Sequence, residues 1–572
     1  MVSGRCKALG KILVTSAWPY INYMPHLGTL IGSVLSADVV ARYYRLKGEE
    51  VLYVTGSDEH GTPIEVEAVR RNVPPKQLTD ENHAKVAELF DKWAIQFDNY
   101  TRTESPTHKE FVRKHLMQIY ENGYIFTRET EMTYCENCQR FLPDRFVEGK
   151  CPYCGHEGAR GDQCDACGRL LEPTKLIDPY CVICGNKPTI KKTKHWYFDL
   201  PKFSDKLLRY IEENKQLPDN ARNFSLNLIR EGLKPRALTR DTSWGIPAPF
   251  PGAEGKTIYV WVEAVLGYVS ATIEYFRKHG DEEGWKSYWF DKNAKTLYFI
   301  GKDNIPFHTI ILPALLLATH KGYNLPWNVS TTEFLQFREE AFSKSRRIGI
   351  WIDEALELFP ADYWRYYLLA TRPETKDTNF TWRNFIEKVN ADLNDSFGNF
   401  VHRALTFVNR NFEDRVPKPA LENSDEEILE KTREKIRQID NLMEKCKIQA
   451  AVNTVMDISR LGNRFLNERE PWNQIKTDVQ KAANTTYAAV QMVKALAVVT
   501  APFMPYTAEK IWKLLNLPGS VHKQKWEEAE KPLPPGHKIN EAKPLFSKIT
   551  LNEEELEAKL EEIRRRKERN TQ

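Results

Sequence analysis

The sequence predicts an α/β protein in which a parallel-sheet domain is split by a cysteine-rich insertion and followed by an all-α helical bundle. Three observations predict it. Short apolar strands, each running into a polar loop, occur near the N-terminus and again around residue 300. Eight of the ten cysteines fall in one interval between these regions. From about Trp382 the sequence carries long helical periods with Arg, Lys and Glu on the polar faces and no convincing strand. At 572 residues, 41% hydrophobic and 28% charged, the chain is long enough for roughly three or four compact units, which excludes a mainly disordered protein.

Ile12-Leu13-Val14-Thr15 reads as the first strand, a loop with Pro19, Asn22 and Pro25 follows, and 27–46 has helical apolar spacing that ends at Lys47-Gly48. A second strand, Val51-Leu52-Tyr53-Val54, runs into Gly56-Ser57-Asp58-Glu59-His60-Gly61. Parallel strands place ligands at their carboxyl ends, where both polar loops fall, so a Rossmann-type domain is expected. Strand-like sequence resumes at 257–262 and 296–300. The expected divisions are two halves of this domain at 1–118 and 241–340, an insertion at 119–240, a loop region at 341–380, a helical domain at 381–550 and a charged C-terminal helix or tail at 551–572. That last helix is acidic first and basic afterwards, which suits the helix dipole. Its thin stripe of Leu556, Leu560 and Ile563 fits either a solvated helix or one that docks on a partner.

The eight clustered cysteines form four Cys-x-x-Cys pairs, Cys135/Cys138, Cys151/Cys154, Cys164/Cys167 and Cys181/Cys184, separated by 12, 9 and 13 residues. Tight turns that aim two thiolates at one point, taken two at a time, supply the four sulfurs that structural zinc prefers, so two four-cysteine zinc sites are expected. Disulfides are the alternative, and a reducing cytosol disfavours them. Cys6 and Cys446 stand alone as a tail residue and a small buried apolar residue.

The longest apolar stretches, 309–319 and about 495–504, are too short or too interrupted for a membrane span of about 20 residues. Gly4, Arg5, Lys7 and Lys11 break up any signal-peptide core. A cytoplasmic protein is expected. The formal charge of +4 neither requires nor excludes a nucleic-acid partner.

Two constellations carry chemistry. His26-Leu27-Gly28-Thr29 lies between a strand and a helix start, where unpaired amides favour phosphate, although a histidine there is often only a cap. Phe342-Ser343-Lys344-Ser345-Arg346-Arg347 is a basic loop able to neutralise charge on a leaving pyrophosphate, or simply an exposed turn. Together they are far more specific than either alone.

On these residues the sequence resembles the class I aminoacyl-tRNA synthetases and, within them, the methionyl-tRNA synthetase family. His26 to Thr29 look like the HIGH signature and Phe342 to Arg346 like the KMSKS loop. The resemblance runs through Ala17-Trp18-Pro19-Tyr20, Ser57-Asp58-Glu59-His60-Gly61-Thr62-Pro63, Phe141-Leu142-Pro143-Asp144-Arg145-Phe146, Trp261-Val262-Glu263-Ala264, Gly301-Lys302-Asp303 with His308, and Pro471-Trp472, in the family's order and over about 11 to 550.

The resemblance implies ATP-dependent activation of L-methionine and its transfer to initiator and elongator methionine tRNAs. It implies that His26, Gly28 and Thr29 with Lys344 and Arg346 serve ATP and the reacting phosphate, that Gly301 and Asp303 hold the ribose, and that Mg2+ accompanies ATP. Asp58 would receive the substrate's ammonium group, and Trp18, Tyr20, Trp261, Ala264, Tyr268 and His308 would form the side-chain pocket. It pairs Cys151/Cys154 with Cys164/Cys167 and, nested outside, Cys135/Cys138 with Cys181/Cys184, in an insertion facing the tRNA acceptor end. The residues at 341–380 become the KMSKS loop and stem-contact region, and Asn399, Arg403 and Trp472 become readers of the CAU anticodon. No large editing insertion is present, which favours methionine over isoleucine, valine or leucine.

The chain departs from the signatures at Thr29, where a second histidine is usual, and at Ala341, Phe342 and Arg347 around the loop. A cysteine-specific or nucleotidyltransferase relative, and an RNA-binding protein without catalysis, stay open as rivals. Some relatives carry a further C-terminal dimerisation or tRNA-binding domain, so a chain stopping at Gln572 is either whole or cut short.

Overall fold

The computed structural model describes residues 10–571 except 162, 163, 165, 167, 168, 170 and 344–347, so Cys6, Cys167, Lys344 and Arg346 lie outside the described residues. Strand β1 (Lys11–Ser16) leads through the Pro-rich loop into helix α1 (27–46) and returns as β2 (Glu50–Ser57), with β3 (Asn99–Arg102) at the edge. A long antiparallel hairpin, β4 (Ile125–Cys135) with β5 (Thr189–Phe198), carries the cysteine-rich turns at its far end. After helix α2 (Val260–Lys278), β6 (Lys295–Gly301) and β7 (Asn328–Thr332) complete a five-stranded parallel sheet of order β7-β6-β1-β2-β3. The strand order reverses between β1 and β6, so a crevice opens at their carboxyl ends.

The sheet strands are buried almost throughout, and the apolar runs Ile12-Leu13-Val14 and Leu297 to Ile300 leave no solvated face. This is the burial that a sheet covered by helices on both faces requires.

The expectation of a strand over 257–262 fails. Only Thr257–Ile258 pair as a strand, and helix starts at Val260. The valines there have strand propensity, but Val262, Val265, Leu266 and Val269 fall on one helical stripe that packs into the core, and tertiary burial overrides propensity.

The C-terminal half is helical: α3 (Asn399–Asn411), α4 (Asn423–Glu444), α5 (Ile448–Arg469) and α6 (Val479–Thr500), the last buried from Ala482 onward. Its core is continuous with one side of the sheet domain. Arg365, fully buried, fastens the two by bonding Asp38 of α1 at 2.8 Å and the carbonyls of Pro502 and Phe503 beyond α6. A buried charge of this kind must have every donor satisfied, and its partners here span both domains.

The apolar stripe of the terminal helix α7 (Glu553–Thr571) is covered by the chain itself, while its other face is solvated. Leu556 and Leu560 are buried, and Arg564 pairs with Glu354 at 2.9 Å, so the helix folds back on the segment that follows the 344–347 loop.

Candidate functional site

A cleft of about 800 Å³ opens at the sheet's carboxyl edge. Trp18, Tyr20, His26, Gly28, Thr29, Asp58, Trp261, Ala264, Tyr268, Gly301, Asp303 and His308 all line it, although they come from six separate stretches of chain. Ala341 and Phe342 line it as well, at the base of the loop.

The apolar end is aromatic. Trp18 meets Tyr268 edge to face at 6.4 Å, and Trp261 lies 4.5 Å from Phe307. A Cβ on Gly56 or Gly267 would come within 3 Å of the Trp18 ring, so two glycines distant in sequence make room for this indole. The His308 Nδ1–H donates to the Asn304 carbonyl at 2.9 Å. That leaves Nε2 to accept the Tyr268 hydroxyl at 2.6 Å. Burial lowers the His308 pKa to about 4, so the wall presents a neutral dipole and aromatic edges to anything inside.

Asp58 is the exception. It is 4% exposed, and its Oδ1 has no hydrogen-bond partner. Burial, and then the charge of Glu263, push its carboxyl well above the usual range. A dry carboxylate with an open acceptor at the mouth of an aromatic pocket is complementary to a ligand ammonium group, whose binding would repay the desolvation.

At the opposite end His26 caps the start of α1, its Nδ1 accepting the Thr29 amide at 3.2 Å. Nε2 therefore carries the hydrogen, close to the Thr29 hydroxyl at 3.2 Å, and can donate. Burial lowers its pKa to about 4, so it is a neutral donor beside the positive end of a helix. The Phe342 ring stacks on it at 4.4 Å and 11°, which seats the base of the 344–347 loop against the helix start. The sequence places Phe342 in the loop but not against His26, since this contact spans over 300 residues.

A second feature missed in the sequence is backbone widening. Leu35 donates to Leu30, Leu312 to Phe307 and Asn399 to Asn394, each a π-turn. All three adjoin residues proposed for function, a placement common for such turns, and no residue pattern announces them.

Cys135, Cys138, Cys181 and Cys184 bring their sulfurs within 4.8 Å of one another, as do Cys151, Cys154 and Cys164. The nested pairing of the outer group is thus realised, and the inner group has three described members. Their spacing fits tetrahedral thiolate ligation, in which sulfurs about 2.3 Å from a metal stand roughly 3.8 Å apart.

In the bundle, Asn399 and Arg403 sit one turn apart on α3 and both reach Asn463. Arg403 lies over the Trp472 ring at 5.2 Å. Trp472 is 38% exposed, so it is a surface platform and not core.

Parallel-sheet cleft, helix-terminal histidine and helical bundle together have the layout of a class I aminoacyl-tRNA synthetase. Residues 12–405 match the family model of tRNA synthetases class I (M), and residues 416–564 that of the anticodon binding domain of methionyl tRNA ligase. The methionine–tRNA ligase of Thermofilum pendens is 54% identical, covering 97% of this chain and 98% of its own, and that of Aeropyrum pernix is 53% identical with 95% of each covered. The chain belongs to the methionyl-tRNA synthetase family. A solved structure of Mycobacterium tuberculosis methionyl-tRNA synthetase in complex with methionyl-adenylate has the same fold, with a TM-score of 0.76 at 24% identity over 94% of this chain and 99% of that one. No helix among the described residues is long and apolar enough to cross a membrane.

Proposed function

We propose that the protein joins L-methionine to methionine tRNAs through methionyl-adenylate. The single observation that carries this reading beyond family membership is the buried, open carboxylate of Asp58 set between an aromatic pocket and the α1 helix start. A zwitterionic amino acid bound there by its ammonium group, with a thioether among aromatic edges, would direct its carboxylate toward the His26 end. Sulfur–aromatic contact contributes about 0.3 to 1.5 kcal/mol.

In the first step a methionine carboxylate oxygen bonds to the α-phosphorus of ATP, the bond to the bridging oxygen breaks, and pyrophosphate leaves. In the second, a hydroxyl of the tRNA terminal ribose attacks the activated carbonyl and AMP leaves. No protein nucleophile takes part, so the chain contributes position and charge. His26 donates from Nε2 to a phosphate oxygen, Gly28 lets the nucleotide approach the backbone, and the Thr29 hydroxyl adds a donor. Gly301 and Asp303 hold the ribose. Lys344, with Arg346, offsets charge on the leaving pyrophosphate. Mg2+ bound with ATP would supply counter-charge to its β- and γ-phosphates.

Cys135, Cys138, Cys181 and Cys184 would hold one zinc ion, and Cys151, Cys154 and Cys164, with Cys167 beyond the described residues, a second; with four thiolates each such sites would be structural and would leave no position for a reacting water. Elemental analysis is expected to give about two zinc ions per chain; one or none would refute the paired sites. Asn399, Arg403 and Trp472 read the anticodon, since single-stranded bases are recognised by stacking and by polar contacts to their edges. Trp472→Ala is expected to weaken tRNA charging by about 1–3 kcal/mol while adenylation is unchanged; equal loss in both would assign the ring a structural role. We place the protein in the cytoplasm.

ATP–pyrophosphate exchange with each amino acid in turn tests the whole reading. Methionine alone should drive exchange, and exchange driven by cysteine, or by none of them, would overturn it.

A further inference from the structure

His60 lies two residues beyond Asp58 but does not line the cleft, and it is 1% exposed. Its Nδ1 stands 2.7 Å from Glu263 Oε1 and its Nε2 2.7 Å from Glu104 Oε1. Two ionised carboxylates can only accept, so both ring nitrogens carry hydrogen and the ring is an imidazolium. Burial opposes that charge, but Glu263 and Glu104 override it and raise the His60 pKa to about 10. Lys109 holds Glu104 at 2.5 Å, and the Trp244 edge packs on the imidazole at 5.5 Å.

Asp58 is faced from its own loop by the amide and the charged ring of His60, and by Glu59, whose own carboxylate is turned to Ser57 and Arg102. From α2 comes Glu263, which has one oxygen without a partner, and Tyr268; Tyr259 precedes that helix. Tyr20 faces it from the loop after β1, with Arg145 of the insertion beyond. On the far side of His60 lie Glu104, Lys109 and the neutral, buried His108. Of the charges acting on Asp58, Glu263 and, more weakly, Glu59 raise its carboxyl and His60 lowers it.

We propose that His60, clamped as a cation between Glu104 and Glu263, is a positioning residue that keeps the Asp58 carboxylate ionised and so sets the affinity for the amino group of the substrate. Remove its charge and Asp58, Glu104 and Glu263 are left as carboxylates in one dry region, where a proton is taken up to relieve the repulsion. A protonated Asp58 no longer attracts an ammonium group. The proposal deepens the reading that the cleft takes methionine, and it rests on that reading.

The test is equilibrium dialysis of radiolabelled L-methionine, without ATP, from acid to neutral pH on the wild type, His60→Asn and Glu263→Gln. Binding fails as pH falls through the Asp58 titration. That acid limb should move to higher pH in His60→Asn and to lower pH in Glu263→Gln. A move of about one pH unit corresponds to a tenfold change in affinity on the limb. The des-amino analogue 4-(methylthio)butanoate, bound through its thioether, should bind equally to all three. Limbs that stay in place, or equal losses for methionine and the analogue, would overturn the proposal in favour of a packing role. If thermal unfolding shows that His60→Asn does not fold, His60→Gln, which removes the charge and keeps a longer polar side chain between the two carboxylates, decides alone: an upward shift of the limb supports the proposal and no shift overturns it. A wild type that binds no methionine would overturn the underlying reading of the cleft instead.

Discussion

Asp58→Asn is expected to lower kcat/KM for methionine in ATP–pyrophosphate exchange by about 10²–10³-fold, with most of the loss in methionine KM and little in ATP KM. The size follows from the environment. Breaking one partner of a buried charge pair costs about 2–5 kcal/mol, and each 1.4 kcal/mol is a factor of ten. The amide keeps the volume and one acceptor, so packing around Trp18 and Tyr20 is preserved and only the charge is lost. A second readout separates this from damage to the fold. The Asp58 carboxyl titrates above its ordinary range in the folded protein, so its ionised form destabilises the free protein at neutral pH, and that cost is relieved as pH falls through the raised pKa. The variant is therefore expected to melt no lower than the wild type, and methionine should raise the melting temperature of the wild type alone. A variant that retains methionine affinity would remove Asp58 from the site.

Lys344→Ala is expected to reduce the adenylation rate about 10²–10³-fold while leaving methionine affinity unchanged, as loss of a preorganised charge felt only in the transition state should. Lys344 lies outside the described residues, so its role rests on the motif and on the position of the loop's base, where Phe342 stacks on His26. Presteady-state formation of methionyl-adenylate, measured beside equilibrium methionine binding, distinguishes rate from affinity. Arg346 and Arg347 remain in the variant as residual cations, which sets the residual rate. Unchanged kinetics would mean that the loop assignment is wrong.

How far these residues could be read in advance depended on the range of the interactions that define them. The strands at Lys11–Ser16 and Lys295–Gly301 were legible because a buried parallel strand is a local apolar run. The four cysteine pairs were legible because their turns are built within four residues each. Val260 to Val262 misled, since a short apolar run is compatible with strand or helix until its packing partners are known. The C-terminal stripe of Leu556, Leu560 and Ile563 identified an apolar face but not what covers it; Glu354, more than 200 residues earlier, supplies the ionic partner that draws the helix back.

The sequence by itself determined the order of the motifs, the split of the α/β domain, the thiolate pairs and the chemical type of every residue now lining the cleft, because each of these is written in neighbouring residues. Only the tertiary structure decided which of those groups are charged, paired or open. Asp58 is left without a partner for one oxygen, and His60 becomes a cation because Glu263 and Glu104 reach it from 203 and 44 positions away. Desolvation and Coulomb energy depend on the surroundings in space, and no local pattern of residues encodes them.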